Sequence, residues 1–158
     1  MQAPLALWRI SEFPDLSGIG AEFASARWHT VGEGKRIVYL AEHPAVALIE
    51  VLVNLRSDPA LYPEDFQLIR IASVDSIASI DLTPDQLSSI DPDVTVSTQR
   101  IGDAWLADRS SALLRVPSIP SPESWNYLLN PLHPDANSLK IEWAKRITYD
   151  RRLFQLSK

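Results

Sequence analysis

Alternating apolar and polar positions predict several short β-strands along the chain. Residues 5–10 and the β-branched run 36–41 read as strands, and residues 66–74 alternate well enough to form another. Residues 112–117 and 125–129 are further runs of this kind, and the Pro/Ser loop between them favours a hairpin. The pattern therefore predicts a protein with strands in both halves of the chain.

Helix signals interrupt this strand pattern. Residues 43–55 favour a helix of about three turns, because Pro44 stands where a proline fits the first turn. The segment 83–85 (Thr-Pro-Asp) is a strong helix start, with the threonine as N-cap. Ser97 is expected to cap a further helix that runs to about residue 108.

The remaining segments are loops and a carboxyl-terminal region with strand character. Residues 12–35, 58–65 and 130–137 are rich in glycine, proline or other turn-forming residues, and residues 139–156 predict a last strand or two. Helices and strands are mixed without a regular βαβ alternation, which predicts an α+β fold. We expect one domain over residues 1–158, because this length supports one core and is short for two.

The composition narrows the class of protein. Its 46% hydrophobic and 22% charged residues are ordinary for a soluble globular protein. The net charge of -5 argues against a broad phosphate-binding surface, and so against nucleic acid as a direct partner. Cysteine is absent, which excludes disulfides and thiolate metal sites, and no apolar stretch reaches the roughly 20 residues of a membrane-spanning helix. We therefore expect a cytoplasmic protein.

Glu50 is the most informative residue of the predicted helix. It is the only charged residue in the run PAVALIEVLVNL, residues 44–55, which offers no polar stripe for a solvated helix face. Glu50 is therefore expected to be at least partly buried, and an ionised carboxylate in that position needs a partner or a ligand. If Arg9 or Arg27 is the partner, the pair is an ordinary buried ion pair with no catalytic meaning.

Familiar catalytic motifs are missing. Gly18-Ile19-Gly20 lacks the third glycine and the helix of a dinucleotide-binding loop. The chain has no GxSxG nucleophile elbow, and its three histidines are scattered without the spacing of metal ligands. A metal centre and serine-hydrolase chemistry are therefore not expected.

Other polar residues in apolar or tightly turned segments each have an ordinary explanation. Arg27 could anchor its loop, and Arg9 could be a charge on an edge strand. Tyr39 could be a core residue with a satisfied hydroxyl, and Ser118 could form a turn beside its prolines. His133 could brace its loop through a hydrogen bond.

Taken in order, several blocks of the sequence resemble the RES-domain toxins of bacterial RES–Xre type II toxin–antitoxin pairs. The matching blocks are LWRIS near the start, ARWHTVG at 26–32, VYLAEHPAVALIEVL at 38–52, GDAWL at 102–106, and LRVPSIP followed by NYLLNPLHPD. The family is named for an arginine, a glutamate and a serine, which fall on Arg27, Glu50 and Ser118. Tyr39 matches a further active-site position, and Arg9 matches a second arginine.

This resemblance implies a compact fold similar to the ADP-ribosyltransferases of the diphtheria-toxin kind, with NAD+ as substrate in a cleft and no metal. It also implies cleavage of the bond between nicotinamide and ribose, and a cognate Xre-like helix-turn-helix antitoxin as partner. The family commonly has asparagine where this chain has His29, so no role is carried over to that position.

The residues suit this chemistry. Cleavage develops positive charge on the ribose, and the Glu50 carboxylate is expected to stabilise it. Val46, Ile49 and Val53 are expected to form a low-dielectric wall that strengthens the effect. Arginine-modifying transferases of this broad fold carry a second acid two residues before the catalytic glutamate, where this chain has Leu48. An arginine acceptor is therefore disfavoured.

The remaining candidates have distinct expected roles. Arg27, with Arg9, offers a bidentate cation to the pyrophosphate, and Tyr39 offers a ring to nicotinamide. Ser118 either orients a ribose hydroxyl or positions Glu50. The favoured function is depletion of NAD+ by hydrolysis or phosphorolysis. Transfer of ADP-ribose to a cellular protein is the alternative, and a non-catalytic interaction domain is the alternative from another class.

Overall fold

A single mixed sheet organises the part of the protein that the computed structural model describes, residues 5–55, 60, 64–73 and 76–154. Its strands are β1 (Ala6–Ser11), β2 (Val38–Ala41), β3 (Gln67–Ser73), β4 (Ser79–Asp81), β5 (Leu113–Pro117), β6 (Trp125–Leu129) and β7 (Leu139–Arg146). The helices are α1 (Pro44–Asn54), α2 (Pro84–Ser88) and α3 (Val96–Asp108). This arrangement confirms the predicted α+β class.

The strands lie in the order β4-β5-β6-β2-β1-β3-β7. Among the described strands, β4 and β5 pair in parallel and the other neighbours are antiparallel. The predicted hairpin is β5–β6, in which Leu113 pairs with Leu129 and Pro117 pairs with Trp125. None of the helices in the described ranges combines the length and the apolarity that a bilayer crossing requires.

Alternating side chains give the sheet two buried faces. Leu7, Ile69 and Ile71 are fully buried and share one core cluster with Leu113 and Leu129. The opposite face carries a second cluster, in which buried side chains of β5 and β6 pack against Trp28 and Trp105. Period-two alternation therefore sends neighbouring residues of β5 and β6 to opposite layers of the protein.

Helix α1 begins where the sequence predicts. His43 is its N-cap, and the imidazole Nδ1 accepts a hydrogen bond of 3.1 Å from the Ala45 N–H, while Pro44 occupies the first turn. Val46 and Ala47 are buried in this helix, and they pack with Ala41 of β2. The helix therefore covers the second face of the sheet near β1 and β2.

The other two helices confirm one prediction and correct another. Thr83 and Gln86 form a reciprocal capping box at the start of α2, as the Thr-Pro-Asp signal predicts. The prediction that Ser97 caps α3 is wrong. The helix begins at Val96, and the Ser97 hydroxyl instead donates a 3.0 Å hydrogen bond to the Ser89 carbonyl. A serine inside the first turn is thus used for a contact between two helical segments.

One strand was missed by the sequence analysis and another was predicted correctly. The short strand β4 was not predicted, because its three residues are exposed and carry no buried face. The carboxyl-terminal segment forms one strand, β7, followed by a 3-10 turn at Arg151–Phe154. Most of the turn predicted at residues 58–65 lies outside the described residues.

Candidate active site

A cavity of about 640 Å³ lies on the second face of the sheet, beside α1 and the β5–β6 hairpin. It is lined by Arg9, Arg27, Tyr39 and Glu50. Ser118 does not line the cavity itself, but its hydroxyl is hydrogen-bonded to Glu50. The structure therefore brings together the five residues that the family resemblance assigns to the active site. They come from β1, β2, α1, the loop before β2 and the end of β5.

Helical spacing decides which residues of α1 reach the cavity. The positions along this face are Ala47, Glu50, Val51 and Asn54. Val53 also lines the cavity, as expected. The expectation that Val46 and Ile49 do so is wrong, because they lie on another side of the helix and line a separate hollow beside Glu42.

The Glu50 carboxylate is satisfied by two neutral donors. The Ser118 hydroxyl donates a 2.8 Å hydrogen bond to Glu50 Oε1, and the Asn126 amide Nδ2 donates one of 2.6 Å to the same oxygen. Within the described ranges, no ion pair of Glu50 with Arg9 or Arg27 is present. The ion-pair alternative is therefore wrong, and the carboxylate has hydrogen-bond partners without a compensating cation.

Ser118 does more than form a turn. It follows β5 and is 4% exposed, and its N–H donates a 2.9 Å hydrogen bond to the Ser124 carbonyl, which extends the hairpin ladder. The backbone is thereby fixed, and the hydroxyl is left to reach Glu50 on α1.

Arg27 lies in the long loop before β2 and is held by carbonyl groups. Its Nη2 donates a 2.8 Å hydrogen bond to the Pro92 carbonyl, and its Nη1 lies 3.5 Å from the Asp91 carbonyl oxygen. No carboxylate in the described residues forms an ion pair with it. The guanidinium thus keeps its full charge available for an anion at the cavity.

Helix α3 holds the loop that carries Arg27. The Thr98 hydroxyl donates a 2.5 Å hydrogen bond to the Arg27 carbonyl, and the Gln99 amide donates one of 3.0 Å to the Ala26 carbonyl. Gly102 brings the helix against the Trp28 carbonyl, because a Cβ at this position would collide with it. The loop is therefore fixed along its backbone, which orients the Arg27 side chain.

Asp103 braces the next part of this loop. Its carboxylate accepts hydrogen bonds of 3.1 Å from the Thr30 N–H and 2.6 Å from the Thr30 hydroxyl, and it pairs with Lys35 at 2.9 Å. Burial raises the pKa of Asp103, but the hydrogen bonds from Thr30 and Lys35 outweigh this and hold the pKa below its ordinary value.

Arg9 does not lie on an edge strand, contrary to the alternative suggested by the sequence. β1 lies between β2 and β3, and the Arg9 Nη1 donates a 2.6 Å hydrogen bond to the Asp15 carbonyl. Burial lowers the pKa of Arg9, although the Asp15 carboxylate opposes the shift. A guanidinium remains protonated despite such a shift. Arg9 lines the cavity, but it pairs with Ile69 on the sheet face of Leu7, so strand alternation directs its guanidinium away from the face that carries Glu50.

Tyr39 has both a structural contact and a place in the cavity wall. Its hydroxyl accepts a 3.2 Å hydrogen bond from the Trp28 N–H and lies 2.7 Å from His29 Nδ1. His29 Nε2 lies 2.8 Å from the Ala24 carbonyl, which can only accept, so Nε2 carries the proton and Nδ1 accepts from Tyr39. Burial raises the pKa of Tyr39 and lowers that of His29, so both are neutral at pH 7.

The sequence interpretation missed Asn126, which lines the cavity and contacts Glu50. The signal that could have found it is the one that singled out Glu50, namely a polar residue within an apolar run, here WNYLL.

His133 braces its loop as predicted, because its Nδ1 accepts a 3.1 Å hydrogen bond from the Asp135 N–H. The described residues contain no group of three His, Asp or Glu side chains that could hold a metal.

Known proteins resemble this chain along almost its entire length. The RES domain family matches residues 6–152. "Toxin Res" of Pseudomonas putida is 42% identical over 151 residues, which cover 95% of this chain and 100% of that protein. The "Prs ADP-ribosylating toxin" of a Sphingobium species is 36% identical over 161 residues, which cover 95% of this chain and 97% of that protein.

The fold has a solved counterpart. A chain of the M. tuberculosis MbcT–MbcA toxin–antitoxin complex superposes with a TM-score of 0.74 at 19% identity, covering 98% of this chain and 89% of that one. The likeness in fold agrees with the sequence relationship to the two curated toxins. The chain therefore belongs to the RES-domain family of toxins.

Proposed function

We propose that this toxin cleaves the nicotinamide–ribose bond of NAD+ and depletes NAD+ by hydrolysis or phosphorolysis. One observation carries the proposal: the Glu50 carboxylate, held by neutral donors, shares a cavity with Arg27. A negative and a positive charge at one cavity match a substrate that has a cationic nicotinamide riboside at one end and a pyrophosphate in the middle.

The bond cleavage places its charge where Glu50 can act. The bond between the ribose C1′ and the nicotinamide nitrogen breaks with both electrons going to nicotinamide, which leaves as a neutral molecule. The ribose then carries oxocarbenium character, as in glycoside hydrolysis. A carboxylate without a cationic partner keeps its full charge for stabilising that cation. Water or inorganic phosphate then adds to C1′, and the proton that it loses passes to solvent.

Arg27 is the arginine that best suits the pyrophosphate. Arg27 and Arg9 donate mainly to backbone carbonyls, so neither charge is neutralised by an ion pair within the described residues. Arginine binds phosphate through two parallel N–H donors, which gives orientation as well as affinity. Binding through the phosphates would fix the ribose beside Glu50.

The nicotinamide end has an apolar and aromatic surrounding. Tyr39, Trp8 and Ala41 line the cavity near the sheet, and Val51 and Val53 line it on α1. A flat aromatic ring packs well against such walls, and their low polarity strengthens the electrostatic effect of Glu50. Ser118 contributes indirectly, because its hydroxyl orients Glu50 through a hydrogen bond.

Transfer of ADP-ribose to a cellular protein is the second candidate. The Sphingobium relative, 36% identical, is named as an ADP-ribosylating toxin, which favours this alternative. Leu48 stands where arginine-modifying transferases carry a second acid, so an arginine acceptor is disfavoured. Both candidates share the same cleavage step and differ in the group that receives the ribosyl cation.

An antitoxin is the partner that we propose for this chain. A solved structure with the same fold is that of a toxin–antitoxin complex. The resemblance to RES–Xre pairs further suggests an Xre-like antitoxin with a helix-turn-helix part. Co-purification of the toxin with the product of a neighbouring gene tests this partner, and a toxin that neither binds that product nor loses its toxicity in its presence would contradict it.

Product analysis tests the proposed reaction. The purified protein is incubated with NAD+ alone, with phosphate, and with cell lysate, and nicotinamide and ADP-ribose species are quantified. Free ADP-ribose identifies water as the acceptor, ADP-ribose 1″-phosphate identifies phosphate, and labelled protein identifies transfer. Absence of nicotinamide under all three conditions would contradict the proposal and favour a non-catalytic interaction domain.

A further inference from the structure

Asn126 is an unusual residue for its place in the fold. It lies in β6, which is flanked on both sides by strands, and it pairs with Ala41 of β2 and Val116 of β5. It is 8% exposed, and Leu128, on the same side of the strand, belongs to the apolar core. An asparagine suits neither a central strand nor an apolar layer, so its presence calls for an interaction that an apolar residue could not make.

The neighbouring carboxylate fixes the orientation of the amide. Glu50 Oε1 lies 2.6 Å from the amide, and an ionised carboxylate only accepts, so Nδ2 faces Glu50. Asn126 Oδ1 is buried and has no hydrogen-bond partner within the described ranges. An unsatisfied buried acceptor destabilises a fold. The Asn126 amide therefore lowers the stability of the fold through its unpaired Oδ1, and its favourable contact is the hydrogen bond from Nδ2 to Glu50.

The two donors to Glu50 act on the same oxygen. Ser118 and Asn126 both donate to Oε1, and they belong to one hairpin, in which the Ser118 N–H is bonded to the Ser124 carbonyl. Glu50 Oε2 has no partner in the described residues and is not a buried atom, so it remains accessible from the cavity. The hairpin thus sets the plane of the carboxylate and leaves one oxygen free.

We propose that Asn126 is a positioning residue, which together with Ser118 turns the Glu50 carboxylate so that Oε2 meets the ribose of the substrate. This role rests on the proposed function, in which Glu50 acts on the ribose of NAD+. Asn126 forms and breaks no bond in the reaction. Its contribution is to hold Glu50 in one rotamer while charge develops on the ribose.

Three variants test this role by nicotinamide release from NAD+. In Asn126→Ala, kcat is expected to fall by about 10- to 100-fold, while KM changes less than about threefold, because the amide orients Glu50 without binding substrate. Ser118→Ala is the matched variant, since it removes the other donor to the same oxygen. It is expected to reduce kcat in the same way. Thermal unfolding of each variant shows whether the fold is retained.

Asn126→Asp supplies a readout that a purely structural role would not change. It is nearly isosteric, and it places two carboxyl groups within hydrogen-bonding distance, so they titrate as a pair. When the pair holds one proton, the aspartic acid again donates to Glu50, and when both ionise the donor is lost and the charges repel. The activity of this variant is therefore expected to rise as the pH falls through the range in which the pair takes up its proton. The other ionisable residues lining the cavity are Arg9, Arg27 and Tyr39. A guanidinium is not deprotonated in proteins, and burial raises the pKa of Tyr39.

The outcomes separate this inference from the proposed function. A folded Asn126→Ala variant with unchanged kcat, or an Asn126→Asp variant with the pH profile of the wild type, would overturn the positioning role while leaving NAD+ cleavage intact. If the wild type releases no nicotinamide, the proposed function fails, and the contact is then tested by the side-chain amide ¹H–¹⁵N signals of Asn126 in labelled protein. These signals are expected to move in Glu50→Ala, which removes the acceptor of the Nδ2 hydrogen bond, and unmoved signals would overturn the role.

Discussion

Glu50 shows how a single polar residue in an apolar helix can be explained by its surroundings. The sequence allowed either a cationic partner or a functional need, and the structure gives two neutral donors from the β5–β6 hairpin. Neutral donors satisfy one oxygen of the carboxylate without cancelling its charge. The residue therefore carries an uncompensated negative charge at the cavity, which the proposed chemistry requires.

Arg27 is predicted to act in substrate binding more than in the cleavage step. Arg27→Ala is expected to reduce kcat/KM for NAD+ by about 10- to 100-fold, mainly through KM, because a charge-assisted hydrogen bond contributes about 1.5–3 kcal/mol. Arg27→Lys keeps the charge but loses the planar pair of donors, so it is expected to recover only part of the loss. Steady-state kinetics of nicotinamide release measures both.

Arg100 offers a matched control, since it is an exposed arginine on α3 that does not line the cavity. Arg100→Ala is expected to leave kcat and KM unchanged. Equal effects of the Arg27 and Arg100 variants would assign the loss to net charge and contradict a specific role of Arg27.

At the level of single residues, the sequence could identify unusual positions but not their contacts. Glu50 was found because its run is apolar, and Arg27 and Ser118 were found through family resemblance. Ser118 and Glu50 are separated by 68 positions, so their hydrogen bond depends on how the hairpin and α1 meet in the fold. Asn126 was missed because one amide in a five-residue strand looks like an ordinary strand residue.

Among the elements, α3 carries a role that its sequence pattern does not reveal. Its hydrogen bonds and the close approach of Gly102 hold the backbone of the Arg27 loop. The loop itself has little regular structure, so its geometry depends on the helix. The helix therefore supports the cavity without lining it.

Gly102→Ala tests this dependence, because helix propensity and the contact with Trp28 predict opposite changes in the free energy of unfolding. Helix propensity alone predicts stabilisation by about 1 kcal/mol. The collision of the new Cβ with the Trp28 carbonyl predicts a loss of about 1–3 kcal/mol, together with a rise in KM as the Arg27 loop moves. Chemical denaturation and steady-state kinetics measure the two effects.

Gly20→Ala is the control for that experiment, because nothing lies near the position of its Cβ. It is expected to change stability and KM little. A stabilised Gly102→Ala variant with normal kinetics would show that α3 does not hold the loop by this contact.

The helices and strands were predicted well where a local signal exists. The start of α1 follows from His43 and Pro44, and the start of α2 follows from a complete capping box. The start of α3 was displaced because Ser97 resembles a cap in sequence, whereas its hydroxyl bonds to Ser89 across a loop. Strand β4 is defined by pairing with β5, a partner more than thirty positions away, so no local pattern marks it.

For the molecule as a whole, the sheet separates a face buried in an apolar core from the face that carries the candidate site. One face is buried in the cluster around Leu7 and Ile71, while the other carries α1, the Trp28 cluster and the cavity between them. The sequence predicted the α+β class from its mixture of elements. It could not predict the strand order, which is set by long-range pairing.

Stability is predicted to fall in mildly acidic solution because of His29. Burial lowers its pKa in the folded protein, so the unfolded chain binds more protons as the pH falls below about 6.5. The neutral His29 ring therefore stabilises the fold above the pKa that His29 has in the unfolded chain. This stabilisation is lost as the pH falls through the lower pKa that His29 has in the folded protein. The thermal midpoint of the wild type is expected to decrease between about pH 7.5 and pH 5.5.

His29→Gln removes the titrating ring and is expected to flatten this part of the profile, although the variant is less stable at neutral pH because the Tyr39 and Ala24 contacts are weakened. Differential scanning calorimetry across the pH range compares the two proteins. Parallel profiles for wild type and variant would exclude His29 as the source of the pH dependence.

The central claim is that Glu50 stabilises a ribosyl cation formed from NAD+. The most direct measurement is the initial rate of nicotinamide release by the purified wild type, by Glu50→Gln, and by the exposed control Glu123→Gln. We expect release by the wild type and the control, and a loss of about 100-fold or more in kcat for Glu50→Gln with a retained fold. Equal release by the wild type and a folded Glu50→Gln variant would contradict the account.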